Sequence, residues 1–251
     1  MKRLFLLTAI IALAFVTSCQ KHVHTRLATY NVCNCTGLDR VHSCERIASI
    51  ISNLNIEAIA LQELDSMTTR YPGEDILSEL AALTDMHPTY GASIDFRGGK
   101  YGIGILTKEK PLSWKRIPLP CRSEPRSLLI VELEDYYFCS THLSLHAADR
   151  LSSAEIINSE LGSLNKPVII AGDFNATPDE ESMVRLSNKF HFANTPTMFT
   201  YPADEPNIEI DYIGISYNHT SDITELESYV VDAAVESDHR PLVSELKFKK
   251  R

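Results

Sequence analysis

Positive charge is scarce in this chain. Its 251 residues carry 24 Lys and Arg against 33 Asp and Glu, for a formal net charge of −9. No long run of Lys or Arg interrupts that balance, which argues against a broad electrostatic footprint for duplex DNA. It suits a small phosphorylated substrate better, or a metal that brings the positive charge itself. No repeat, low-complexity tract or Gly/Ser linker divides the chain after residue 25, so 26–251 reads as a single domain. At 44% hydrophobic residues it can bury a sizeable core. A bilayer span needs about 20 apolar residues, and the apolar stretch Leu4–Val16 falls short of that. Cysteine pairing is also incomplete. Beyond Cys19, the remaining Cys33, Cys35, Cys44, Cys121 and Cys139 are odd in number and form no disulfide framework. Cys33-x-Cys35 with His42 and Cys44 has no standard zinc spacing and reads as buried thiols, or one disulfide in an oxidising compartment.

At the N-terminus, Lys2 and Arg3 precede Leu4–Val16, and Val16-Thr17-Ser18-Cys19 follows. This layout resembles a bacterial lipoprotein signal, with residues 1–18 removed and Cys19 lipidated. Val16 stands where Leu is commoner, and an ordinary cleaved signal peptide with an incidental Cys19 is the alternative. The expectation is an exported domain, anchored by lipid at the bacterial cell envelope. Nothing in the sequence indicates a protein partner.

Apolar periodicity predicts strands over 27–32, 56–61, 89–94, 102–106, 112–117, 127–133, 136–142, 167–171, 208–215, 223–229 and 242–248. It predicts helices over 43–54, with Ser43 as N-cap, over 74–83 and 147–161, and over 179–186 with Pro178 at its start. Gly98-Gly99 marks a turn. Many strands with a few helices between strand groups suit an α/β fold, a four-layer α/β/β/α sandwich of two mostly antiparallel sheets.

Polar groups end several apolar strands: Tyr30-Asn31, Gln62-Glu63, Thr141-His142, Gly172-Asp173-Phe174-Asn175, Ile210-Asp211-Tyr212 and Ser237-Asp238-His239. Val168–Ala171 reads as a buried strand that Gly172 breaks. In extended chain, residues two apart share a side, so Asp173 and Asn175 are expected to project together into one site. Taken singly, each segment has an ordinary structural explanation: Asn31 as a turn former, His142 as a hydrogen-bonded core histidine, Glu63 as the start of a solvated loop.

In this order, the segments resemble the endonuclease/exonuclease/phosphatase superfamily, the deoxyribonuclease I-like group. The resemblance runs from about Arg26 to Phe248. Its most specific parts are Gly172-Asp173-Phe174-Asn175 and Ser237-Asp238-His239-Arg240-Pro241-Leu242. It implies the four-layer sandwich and metal-assisted attack of water on a phosphate ester. Glu63 would be the principal metal carboxylate, with Asn31 beside it, for Mg²⁺ or Mn²⁺. Asp173 would align and deprotonate the water, and Asn175 would hold Asp173 or a phosphoryl oxygen. His239 would stabilise charge on the phosphate, with Asp211 fixing its tautomer and raising its pKa. Asp238 would ligate a metal or hold its loop, and His142 would donate to a non-bridging oxygen. Arg126 and Tyr101 would line the phosphate cleft. Where many nuclease members carry a carboxylate two residues after the Asn, this chain has Cys33, which puts more weight on Glu63.

The substrate is a phosphate ester: small molecule, lipid head group or nucleic acid. Ala171 stands where inositol-phosphatase members carry Trp, which disfavours that branch. The sphingomyelinase branch suits a membrane-tethered enzyme, but no long apolar hairpin is present. The reading is a metal-dependent phosphodiesterase-type hydrolase. An endonuclease or exonuclease on DNA or RNA is the alternative, and a catalytically silent surface binding protein stands as the contrasting class.

Overall fold

The structure, a computed structural model, describes residues 22–192, 198–219 and 222–249. The leader 1–18 and Cys19 lie outside the described residues. Twelve strands form two sheets of six among the described residues. The first takes β1 (His22–Asn31), β2 (Ala58–Ser66), β3 (His87–Phe96), β4 (Gly99–Thr107), β11 (Ile223–Val230) and β12 (Leu242–Lys249), in the order β11-β12-β1-β2-β4-β3. The second takes β5 (Ser113–Leu119), β6 (Arg126–Glu132), β7 (Tyr137–His142), β8 (Val168–Asp173), β9 (Phe190–Phe192) and β10 (Asp211–Ser216), in the order β5-β6-β7-β8-β10-β9. Each sheet holds one central parallel pair, β1/β2 and β7/β8, and its other pairs are antiparallel.

A helix must carry the chain back between parallel strands. α1 (Cys44–Leu54) does so for β1/β2 and α3 (Ala147–Leu161) for β7/β8, while α2 (Ile76–Thr84) and α4 (Glu181–Ser187) join the outer layers. Three apolar interfaces result. Alternate strand residues face opposite ways, so Ile169 and Ala171 of β8 meet Leu27, Ala60 and Ile105 between the sheets. Val168 and Ile170 meet Ile157 and Leu161 of α3. Across the molecule, Ala28 and Ile59 meet Ile47 and Ile51 of α1 and Leu80 of α2. Each large apolar side chain so buried contributes roughly 1.5–3 kcal/mol. This is the α/β/β/α sandwich, and burial on both faces explains why β8 reads as an unbroken apolar run.

Several boundaries differ from the sequence expectation. Gly172 does not end β8. The strand continues through it to Asp173, because only glycine lets β8 approach β7 there: a Cβ on Gly172 would lie 2.0 Å from the Thr141 carbonyl oxygen. Pro178 precedes α4 by a short loop, and Glu180 is the N-cap. Ser43 does cap α1, its hydroxyl accepting from Arg46 N–H at 3.3 Å. The strand expected over 208–215 begins at Asp211, and Ile208 instead bridges Tyr201. The three-residue β9 carries too short a pattern to be read from sequence.

Candidate active site

Strand register builds half of the site. Asp173 ends β8, opposite His142 of β7 on one side and Asp211 of β10 on the other. Three polar side chains therefore share one row across the rim of the second sheet. In the first sheet, Asn31 of β1 lies opposite Gln62 of β2. The next residue, Glu63, sits in a bulge between Leu61 and Leu64, at φ +62°. Bulges re-aim side chains, and this one brings Glu63 to Asn31, whose amide nitrogen donates to Glu63 at 3.2 Å and to Asp173 at 3.1 Å. Asn31 thus joins the two rims. Its own oxygen accepts the Cys33 N–H at 3.2 Å, and its backbone carbonyl accepts from the Ser237 hydroxyl at 2.7 Å.

Asp173 is buried. Burial raises its pKa, Asp211 adds to the rise and His239 opposes it, leaving the carboxyl pushed up to about 7. A buried carboxyl titrating near neutrality suits general-base work. Its Oδ1 accepts the Asn175 N–H at 2.9 Å, while its Oδ2 lies 3.4 Å from His142 Nε2 and 3.7 Å from His239 Nε2. Asn175 is left-handed, at φ +49°. It holds Asp173 through its main chain rather than through a side chain projecting from extended strand. Its side-chain amide donates to the Leu143 carbonyl at 3.0 Å.

The two histidines differ. His239 Nδ1 donates to Asp211 Oδ2 at 2.7 Å. Burial opposes a charge on His239, but Asp211, Asp173 and Asp238 outweigh it, and the imidazole is pushed up to about 10. Thr200 donates to the same Asp211 oxygen at 2.6 Å, and the Tyr201 ring lies 4.9 Å from the His239 ring. His142 is held well below its ordinary value, first by burial and then by Arg126 and His239. Arg126 Nη1 lies 3.4 Å from His142 Nδ1. A guanidinium only donates, so Nδ1 is the acceptor and Nε2 keeps the proton facing Asp173. The side chain of Arg126 is buried and also pairs with Glu124.

On the first rim, burial raises the Glu63 pKa, Asn31 lowers it and Asp238 raises it again. Tyr101 hydrogen-bonds Glu63, and Cys33 hydrogen-bonds Asp238. A desolvated carboxylate beside a second one, with amide and phenol groups around them, is a hard-oxygen set that fits Mg²⁺ or Mn²⁺. Asp173, Asp211 and His239 also have ligand atoms within 4.8 Å of one another. A metal-binding imidazole must be neutral, whereas Asp211 favours the cation, so this triad suits proton and charge chemistry instead.

The residues expected from sequence to serve the reaction therefore lie along the two rims, and Cys19, expected as a lipidation site, lies outside the described residues. Sequence reasoning did not assign Thr200, Tyr201 or Leu143, whose loops carry no motif. Ser237 was visible within its motif, but its bond to the Asn31 carbonyl follows only from the fold.

The model of the Endonuclease/Exonuclease/phosphatase family matches residues 28–239. No curated protein sequence matches. Among solved structures, an endonuclease/exonuclease/phosphatase from Beutenbergia cavernae is 21% identical with TM-score 0.73, covering 90% of this chain and 72% of that one. The mannosyl-6-phosphatase of Bacteroides thetaiotaomicron is 18% identical with TM-score 0.67, covering 88% and 99%. ANGEL2, a 2',3'-cyclic phosphatase, is 13% identical with TM-score 0.71, covering 91% and 96%. At these identities, the structures share the fold.

Proposed function

The chain belongs to the Endonuclease/Exonuclease/phosphatase family, and on that premise we propose that it is a divalent-cation-dependent phosphodiesterase. The carrying observation is Asp173: a buried carboxyl titrating near neutrality, faced by one neutral and one cationic histidine. Asp173 Oδ2 accepts the proton of an attacking water. Its Oδ1 stays fixed by the Asn175 N–H, so the base keeps its orientation as the proton arrives. His239, cationic against Asp211, stabilises negative charge growing on the phosphate. His142 presents its Nε2–H to a non-bridging oxygen. Glu63, with Asn31 and Asp238, would hold Mg²⁺ or Mn²⁺, which supplies charge neutralisation to the phosphate and the departing oxygen.

A diester is favoured over a monoester by charge. A monoester dianion needs several free cations, yet Arg126 is paired with Glu124 and Arg70 with Asp65. Four carboxylates also crowd the site, Glu63 and Asp238 on one rim and Asp173 and Asp211 on the other. The proposal includes export: residues 1–18 removed and Cys19 lipidated, placing the domain at the bacterial envelope.

The test compares bis(p-nitrophenyl) phosphate with p-nitrophenyl phosphate, with Mg²⁺ or Mn²⁺. Wild type should prefer the diester, and Glu63→Ala and His239→Ala should lose that activity. Equal rates in all three proteins would overturn the enzymatic reading, and a preference for the monoester would overturn the substrate class.

A further inference from the structure

The site makes no use of two buried thiols. Cys35 is 1% exposed and Cys44 2%, and both pack in the apolar layer beneath α1 with Val32 and Ile47. The two thiols share a hydrogen bond. Backbone pairing produces this contact. Thr36 and His42 form an antiparallel bridge, and Ser43 N–H donates to the Cys35 carbonyl at 2.8 Å. The chain leaves at Cys35, turns back within 36–42, and returns as Cys44 opens α1. The other described cysteines lie elsewhere. Cys33 turns to Asp238, Cys121 to Ser144, and Cys139 sits in the apolar layer beneath α3.

We infer that Cys35 and Cys44 are joined as a disulfide when the chain folds under oxidising conditions. With a small-molecule disulfide such as oxidised glutathione, one cysteine thiolate attacks a glutathione sulfur and expels a glutathione thiolate. The second cysteine then attacks the protein sulfur of that mixed disulfide and expels the second glutathione thiolate. Two protein thiols give up two protons and two electrons, and one glutathione disulfide becomes two glutathione thiols. The Cys44 hydrogen bond and burial hold the Cys35 thiol well above its ordinary value, so exchange in the folded state is slow. The bond closes during folding and then resists reductant.

Its place gives it a consequence. Cys33, Asn34 and Cys35 are consecutive left-handed residues, at φ +45°, +54° and +55°, directly after the Asn31 strand end. Such conformations cost on the order of 1–2 kcal/mol each outside glycine. The disulfide pins the far end of this run and so braces the rim that carries Asn31.

The test is a peptide map of the whole chain refolded from the reduced state in oxidised and reduced glutathione, with free thiols then alkylated. Trypsin cuts after Arg26, Arg40 and Arg46, releasing Leu27–Arg40 and Val41–Arg46. The expected result is these two peptides cross-linked. The link should persist in Cys33→Ser and vanish in Cys35→Ser and Cys44→Ser. Oxidised wild type should melt on the order of 5 °C above its reduced form. Alkylation of both Cys35 and Cys44 in folded wild type, or a link involving Cys33, would overturn the inference. The wild-type map decides alone if a variant fails to fold. No hydrolase activity is read, so the result is independent of the proposed reaction.

Discussion

The two halves of the sandwich repeat one plan and finish it differently. β1-α1-β2 and β7-α3-β8 each set a parallel pair at the centre of a six-stranded sheet, and the two pairs end at facing rims that Asn31 and Asp173 join. In the second sheet, the candidate side chains follow from undistorted register: His142, Asp173 and Asp211 stand in one row. In the first, they follow from distortion. Glu63 occupies a bulge at positive φ, and three left-handed residues come shortly after Asn31. The regular rim holds paired acid and base groups, while the distorted rim collects Glu63 and Asp238, which form no ion pair among the described residues. Strained backbone gathers at functional sites when the surroundings enforce it, and here it sits on the side where a metal fits. The proposed division, proton chemistry on one rim and cation binding on the other, is one that mutation can break.

The largest effect is expected at Asp173, where the rims meet. Asp173→Asn should lower kcat about 10²–10⁴-fold by removing the general base. It should also stabilise the metal-free protein. The folded pKa is raised, so the burial of this charge weakens folding progressively as pH rises from about 4 toward 7. Thermal melts in chelator across that range should fall for wild type and flatten for Asp173→Asn. A variant that keeps full activity would remove Asp173 from the chemistry.

Next comes the cationic histidine. Asp211→Asn should cost about 10²–10³-fold in kcat, as for loss of a charge-stabilising donor. The pH profile sharpens this. Activity should rise through about 7 as Asp173 ionises and fall through about 10 as His239 loses its proton. Asp211→Asn should move the falling limb down toward the ordinary histidine value. The stability linkage has the same source. A raised histidine pKa stabilises the fold fully below about 6.5, and that stability is lost as pH climbs through about 10. If the falling limb stays in place, His239 is not the group that sets it.

The metal test divides the rims directly. Calorimetric titration with Mn²⁺ should show Glu63→Gln binding at least about 10–100-fold more weakly, a loss that even outer partners of a metal can cause. Asp211→Asn should bind nearly as wild type. The reverse pattern would place the cation in the Asp173, Asp211 and His239 triad and reverse the division.

The sequence reveals the regular rim more fully than the distorted one, for a physical reason. Side chains alternate along a strand, so apolar runs capped by Asp173, His142 and Asp211 point to a common rim once two packed sheets are inferred. Even there, Gly172 reads as a strand break, because its φ freedom is visible in sequence and its role in close strand approach is not. The Glu63 bulge depends on pairing with β4, a contact distant in sequence. Thr200 and Tyr201 reach the site from a loop with no periodic pattern, and what brings them there is tertiary packing.

The smallest predicted effect tests why two neighbouring histidines differ. Arg126→Gln removes the cation beside His142 Nδ1 while keeping a side chain able to donate there. The His142 pKa should then rise toward its ordinary value, since one of the two neighbouring positive charges that lower it is gone. Histidine ring signals followed by NMR against pH would read this directly. Activity should fall by roughly tenfold or less, the scale of one hydrogen bond, and the loss should deepen at acid pH, where His142 begins to gain a second proton. A His142 titration unchanged by the substitution would assign its neutrality to burial and His239, and Arg126 would then act on the substrate rather than through the histidine.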